Sequence, residues 1–176
     1  MFIRMLKLDE DLRSQYDLST HACAIHAAAP CPKEIKQQMM RWWGAILWEY
    51  YAGTERNGTC VIGPQDWLTH PGSVGRAHNS VLHICDENGE ELTAGEEGMV
   101  YFEQNVRSFE YHNAPDKTRA ATHPIHDNWT SLGDVGYVDK EGYLYLTDRK
   151  AYMIISGGVN IYPQEIEDAL ILHEAV

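Results

Sequence analysis

Five consecutive residues, Tyr51-Ala52-Gly53-Thr54-Glu55, gather an aromatic face, a flexible backbone, a hydroxyl and a carboxylate at the end of the alternating stretch 46–51. Those are the parts needed to stack a purine, approach a phosphate closely and hold a Mg²⁺ ion. The same five residues also make an ordinary exposed turn. A second candidate pairs Asp134, in Leu132-Gly133-Asp134, with Arg149, in Asp148-Arg149. The turn over 139–142 folds the two segments antiparallel, so the carboxylate and the guanidinium approach one another. As a surface ion pair they contribute only about 0–1 kcal/mol. As a carboxylate facing two vicinal hydroxyls, each charge-assisted bond is worth about 1.5–3 kcal/mol. Ser156-Gly157-Gly158 is not followed by Lys-Ser or Lys-Thr, which excludes a Walker-type phosphate loop. Paired glycines there permit either a bulge or the close approach of something thin and extended. Among the nine histidines, His123 and His126 stand closest but straddle Pro124, and no third ligand is near. They read as solvated loop residues, not as a metal site.

The elements that must hold these residues fall into two patterns. Residues 5–16 read as one amphipathic helix with Leu8 and Leu12 on a face, and 22–29 as a buried strand. Pro30-Cys31-Pro32 opens a second helix with Ile35, Met39, Trp42 and Trp43 at helical spacing, and 46–51 alternates as a strand. The first third is therefore an α/β layer. From Gly72 onward, strands over 81–85, 99–103, 135–138 and 143–146 are punctuated by Asn88-Gly89 and the 139–142 turn, the signature of an antiparallel sheet or partial barrel. Residues 153–155 make one more short strand. Pro163 starts a last helix, with Ile166, Ala169, Leu170 and His173 on one stripe. The fold class is α/β (α+β).

A chain of 176 residues with 44% hydrophobic and 23% charged residues can bury a core. Its net charge of −12 has no basic run to offset it, which argues against a nucleic-acid partner. The apolar runs are too short to span a bilayer, so no transmembrane segment is expected, and peripheral contact with a membrane is left open. Residues 1–8 do not read as a signal peptide, since Arg4 and Lys7 interrupt the apolar run. Four cysteines without a CxxC pair fit a reduced, cytoplasmic protein. Both ends read as cut, with the chain opening almost directly on one helix and stopping about one turn after another.

Taken together, five stretches resemble the adenylate-forming (AMP-binding) superfamily, and within it fatty-acyl-CoA synthetases. They are His26-Ala-Ala-Ala-Pro-Cys-Pro32, Trp48-Glu-Tyr-Tyr-Ala-Gly-Thr-Glu55, Pro71-Gly-Ser-Val-Gly-Arg76, Ser131-Leu-Gly-Asp-Val-Gly-Tyr137, and Leu146-Thr-Asp-Arg-Lys150 running into Met153-Ile-Ile-Ser-Gly-Gly-Val-Asn-Ile-Tyr-Pro163. The resemblance implies that Ala28, Ala29 and Pro30 line an adenine slot and Tyr51 stacks on the base. Thr54 and Glu55 would be the catalytic pair, Thr54 on the α-phosphate and Glu55 on Mg²⁺. Asp134 would take the ribose hydroxyls with help from Arg149. Lys150 and Ala151 would form the hinge of a C-terminal lid, and Ser156, Gly157 and Gly158 would border the coenzyme A tunnel. The implied division is 1–71 as the end of the large α/β subdomain and 72–148 as a small antiparallel, barrel-like subdomain. Residues 149–151 would be the hinge and 152–176 the start of the lid. The implied reaction joins a fatty acid to coenzyme A at the expense of ATP, through an acyl-adenylate. Aryl acids or carrier proteins are alternative substrates, and a non-catalytic AMP- or acyl-adenylate-binding remnant and a fragment without function are alternative readings. Ala52 and Arg56 depart from the glycines usual in the family. A full member is about three times this long, with a phosphate-gripping loop upstream and an adenylation lysine downstream.

Overall fold

A computed structural model describes residues 1–156 and 159–173. The first layer is a βαβ unit: β1 (Ala24–His26), α3 (Lys33–Trp43) and β2 (Leu47–Ala52), with β1 and β2 parallel in the register Ala24↔Leu47 and His26↔Glu49. The helical spacing of Ile35, Met39 and Met40 gives α3 a buried face. Gly44 ends the helix at φ 86°, which glycine enters without a Cβ penalty. Along β2 the period of two sets Leu47 and Glu49 inward and Trp48 and Tyr50 outward. β3 (Thr59–Ile62) and β4 (Arg76–His78) extend this sheet antiparallel, with α4 (Pro64–Thr69) between them.

The N-terminal region departs from a single helix over 5–16. It forms α1 (Phe2–Leu6) and α2 (Glu10–Arg13), because the Asp9 carboxylate accepts from the Asp11 amide at 2.9 Å and caps a new helix. Leu8 falls in the break and is exposed. The strand expected over 22–29 is reduced to β1, whose Ile25 faces solvent, and Ala28 leaves it at φ 70°.

The second sheet is antiparallel, ordered β5 (Val81–Cys85), β6 (Gly98–Glu103), β8 (Asp134–Val138), β9 (Leu144–Arg149), with β7 (Trp129–Thr130) also on β6. The sheet is open rather than a closed barrel among the described residues. A register shift between Val135 and Gly136 inserts one extra residue into β9. The Gly136↔Leu146 register, continued unbroken, would set Asp148 opposite Asp134; the bulge brings Arg149 there instead. The two sheets share their interior. Tyr143 joins Met39, Met40, Leu47, Ile62 and Trp67 in one cluster. Its neighbour Leu144 packs with Cys60, Ile84, Val100 and Phe102 in the other. Past β9, β10 (Ile154–Ser156) pairs with β11 (Val159–Ile161) ahead of α6 (Pro163–Ile171).

His123 is buried at 4% exposure, not a solvated loop residue. Its Nε2 lies 2.9 Å from the Gly89 carbonyl, while Nδ1 accepts from the amides of Ile125 and His126, each at 3.2 Å. One donor and one acceptor define a neutral imidazole, and burial pulls its pKa below the usual histidine value. His126, by contrast, is exposed and stacks on Trp129. No group of three or more metal-ligating side chains occurs among the described residues.

Because the folded pKa of His123 is depressed, its contribution to stability is complete above the unfolded value of about 6.5 and is lost as pH falls through and below it. Urea midpoints measured from pH 7.5 to 5 should therefore drop, and His123→Gln, which does not titrate, should flatten the slope. An unchanged slope would contradict this role for His123.

Candidate functional site

Tyr51, near the end of β2, reaches across to the other sheet. Its hydroxyl donates to Asp134 Oδ2 at 2.5 Å, while Arg149 Nε donates to Oδ1 at 3.0 Å. Asp134 is 6% exposed, so its charge is tolerable only because each oxygen has a donor. Burial, reinforced by the Asp134 charge, pushes the Tyr51 phenol far above its usual pKa, which keeps it a donor. Asp134 in turn holds the Arg149 guanidinium above its ordinary value. The Arg149 side chain stays 57% exposed, so one side of this triad opens to solvent. Two backbone features shape the loop before β8: Gly133 sits at φ 83°, and its carbonyl accepts from the Lys150 amide at 2.9 Å.

The loop after β2 packs beside this triad. A Cβ on Gly53 would come within 2.5 Å of Leu132 Cδ1 and 2.9 Å of Glu55 Oε2, so glycine lets the loop pass under Leu132. Glu55 Oε2 accepts from Thr54 Oγ1 at 3.2 Å, and Oε1 accepts from the Tyr111 hydroxyl at 3.0 Å. Burial pushes the Glu55 carboxyl up. Its own backbone amide, Tyr111, Thr54 and the Arg149 charge outweigh that and leave it below the usual range. The Gln104 side-chain amide donates to the carbonyls of Arg56 and Asn57, both at 2.8 Å, and the Asn57 side-chain Nδ2 donates to the Thr130 carbonyl at 3.2 Å. Arg56 sits at φ 57°, the region where glycine is at ease, and its side chain is exposed.

Ala28, Ala29 and Pro30 are exposed and leave β1 at the end where Tyr51 approaches the end of β2, since those strands run parallel. Next to them, burial pushes the Cys31 thiol up to about 12, so it is no thiolate nucleophile at neutral pH. Beneath lies fully buried Lys36, whose ammonium hydrogen-bonds Glu49 and sits 4.7 Å over the Trp67 ring. His26 Nε2 stands 3.2 Å from the same Glu49 oxygen without an aligned hydrogen bond. This cluster ties β1, α3 and β2 together under the site.

The structure thus joins Tyr51, Asp134 and Arg149 directly, with Thr54 and Glu55 in the adjoining loop. Lys150 and Ala151 lie in a 3₁₀ turn after β9, both exposed. Ser156 pairs with Val159 on the separate β10–β11 hairpin, and Gly157 and Gly158 lie outside the described residues. Sequence reasoning missed Tyr111 and Gln104; both act on residues 47 or more positions away, and no local spacing signals such a bond. Glu55 is a single carboxylate. That suits Mg²⁺, which binds through one or two carboxylates and fills its remaining positions with water and substrate phosphate.

Comparison with known proteins matches residues 1–108 to the family described as AMP-binding enzyme. A long-chain-fatty-acid–CoA ligase of Bacillus subtilis is 35% identical over 163 residues, 92% of this chain and 29% of that protein. A 2-succinylbenzoate–CoA ligase of Bacillus cereus is 33% identical over 159 residues, 90% of this chain and 32% of that one. The o-succinylbenzoate coenzyme A synthetase of Bacillus subtilis, solved with ATP and magnesium ion, superposes with a TM-score of 0.75 at 27% identity, covering 95% of this chain and 36% of the other. The chain therefore spans about a third of the length of the relatives it matches.

Packing of the loop under Leu132 is directly testable. Gly53→Ala should destabilise the protein by about 1–3 kcal/mol through overpacking. Leu132→Ala in the same chain should recover part of that loss in a double-mutant cycle read by urea denaturation. Strict additivity would mean that the two residues do not meet.

Proposed function

This chain is a member of the AMP-binding enzyme family, and from that premise we propose that it carries the nucleotide-binding part of an acid–CoA ligase. The observation that carries the reading is the triad at one sheet end: the Tyr51 ring, the buried Asp134 carboxylate and the half-exposed Arg149. A nucleoside needs a surface for its base and a fixed acceptor for its vicinal hydroxyls. Tyr51 would stack on adenine between the Ala28, Ala29 and Pro30 segment and the second sheet, an aromatic contact worth roughly 1–3 kcal/mol. Asp134 would accept from the ribose hydroxyls, with Arg149 fixing its orientation. Thr54 would donate to the α-phosphate, and Glu55 would help hold Mg²⁺, which when bound neutralises charge on the phosphates.

In the proposed reaction a carboxylate oxygen attacks the α-phosphorus of ATP and pyrophosphate leaves. The coenzyme A thiol then attacks the acyl carbon, loses its proton and displaces AMP. The division at 71/72 and the hinge at Lys150 and Ala151 belong to this proposal, as does a lid beginning at residue 152. So does a pantetheine path beside Ser156, Gly157 and Gly158. A long-chain fatty acid is the proposed substrate, supported by the 35% identity to a ligase of that name. An aromatic acid is the second reading, supported by the 33% identity to a 2-succinylbenzoate ligase. Binding of AMP or acyl-adenylate without turnover is a third reading, which the Tyr51, Asp134 and Arg149 triad would support by itself. No helix among the described residues is long and apolar enough to cross a membrane. A cytoplasmic setting is part of the proposal, supported by four cysteines that are all free thiols.

Calorimetric titration of the 176-residue chain with AMP should show binding, and Asp134→Ala should weaken it by about 1.5–3 kcal/mol, roughly 10- to 150-fold. Unchanged affinity in that variant would overturn the ribose assignment, and no binding by the parent chain would overturn the nucleotide site. Acid-dependent ATP–pyrophosphate exchange then separates catalysis from binding alone.

A further inference from the structure

We infer that Tyr111 is a positioning residue that aims the Glu55 carboxylate at the divalent cation accompanying a nucleotide's phosphates, an inference that rests on the function proposed above. Glu55 Oε2 is held by Thr54, its neighbour in the same loop, at 3.2 Å, and that bond moves whenever the loop moves. Oε1 is held by Tyr111, 56 residues away, at 3.0 Å. Among the described residues, Tyr111 is therefore the side chain outside the loop that hydrogen-bonds the Glu55 carboxylate.

The phenol is fixed independently of Glu55. The Tyr111 amide donates to Thr118 Oγ1 at 2.9 Å, and its carbonyl accepts from the Ala114 amide at 3.1 Å. Thr118 is buried in α5 (Pro115–Ala120) and donates to the Ala114 carbonyl at 3.2 Å. Phe109 packs edge-on to the Tyr111 ring, with centroids 5.1 Å apart. The first turn of α5 thus sets where the hydroxyl lies, and the hydroxyl sets the carboxylate. A carboxylate offers about four lone-pair sites. The Tyr111 hydroxyl and the residue's own backbone amide occupy two of these. Thr54, whose single hydroxyl proton would turn to the α-phosphate, frees the rest for a cation, and the donors that stay favour the anionic form that a cation requires.

Tyr111→Phe removes one oxygen and keeps the ring packing. The test compares affinities of the 176-residue chain for ATP in excess Mg²⁺ and in EDTA, with metal-free AMP as reference. The parent chain should bind ATP more tightly with Mg²⁺, and Tyr111→Phe should cut that enhancement about tenfold, the usual scale for losing a partner of a metal-ligating carboxylate. Its affinity for metal-free AMP should stay within about twofold, a split that general loosening of the site would not give. If Glu55→Gln abolishes the enhancement while Tyr111→Phe preserves it, the role of Tyr111 is overturned and the site stands. If Glu55→Gln also preserves it, or the parent chain shows no enhancement, the assignment of Glu55 fails, and that of Tyr111 with it. Equal losses for ATP and AMP in Tyr111→Phe would overturn the positioning role in favour of a structural one.

Discussion

A buried carboxylate needs a donor for each oxygen, and the arrangement of this molecule around Asp134 follows from that constraint. One donor comes from β2 of the first sheet and the other from β9 of the second. The β9 donor is there because of one extra residue. Without the bulge beside Gly136, the antiparallel register would set Asp148 across from Asp134, two like charges with one of them buried. Gly136 itself accommodates the irregularity, since a Cβ there would lie 2.3 Å from the Tyr145 carbonyl oxygen. A local break in regular pairing thereby converts a repulsive neighbour into an attractive one at the edge of the candidate site.

Holding Tyr51 and Asp134 together requires that the two sheets not slide, and several features oppose sliding. Tyr143 and Leu144, adjacent in β9 and the turn before it, enter different hydrophobic clusters. Across the junction the Leu144 amide donates to the Gly75 carbonyl, and the Leu144 carbonyl accepts from the Val74 amide. Gly58 lies so close to the Phe102 ring that a Cβ there would fall 2.2 Å from it. The Gln104 side chain then clamps the carbonyls of residues 56 and 57 from the second sheet. The loop that carries Thr54 and Glu55 is consequently fixed at both ends, by Gly53 under Leu132 and by Asn57 against Thr130.

The strands were the most legible part of the sequence, because alternation along 46–51 and the Asn-Gly and Asp139–Gly142 turns encode them locally. Over 5–16 the apolar spacing continues through the point where Asp9 caps a fresh start, so the spacing alone does not show the break. Around His123 the neighbouring residues suggest a polar loop, whereas Gly89 and the His126 turn enclose the ring. For the site, the turn over 139–142 sets Asp134 and Arg149 on facing strands, but the bulge that makes them face each other carries no clear sequence mark. The Tyr51 hydroxyl and Tyr111 were invisible for a different reason: each bonds a residue more than 50 positions away, and only the packing of two sheets creates that proximity. Roles assigned through family resemblance, such as the adenine slot and the hinge, rest on that resemblance and not on spacing.

The most direct test is a crystal structure of the chain with AMP bound. The account predicts the adenine ring against the Tyr51 face and both ribose hydroxyls within hydrogen-bond distance of the Asp134 carboxylate. Nucleotide bound elsewhere, or with its sugar turned away from Asp134, would contradict it.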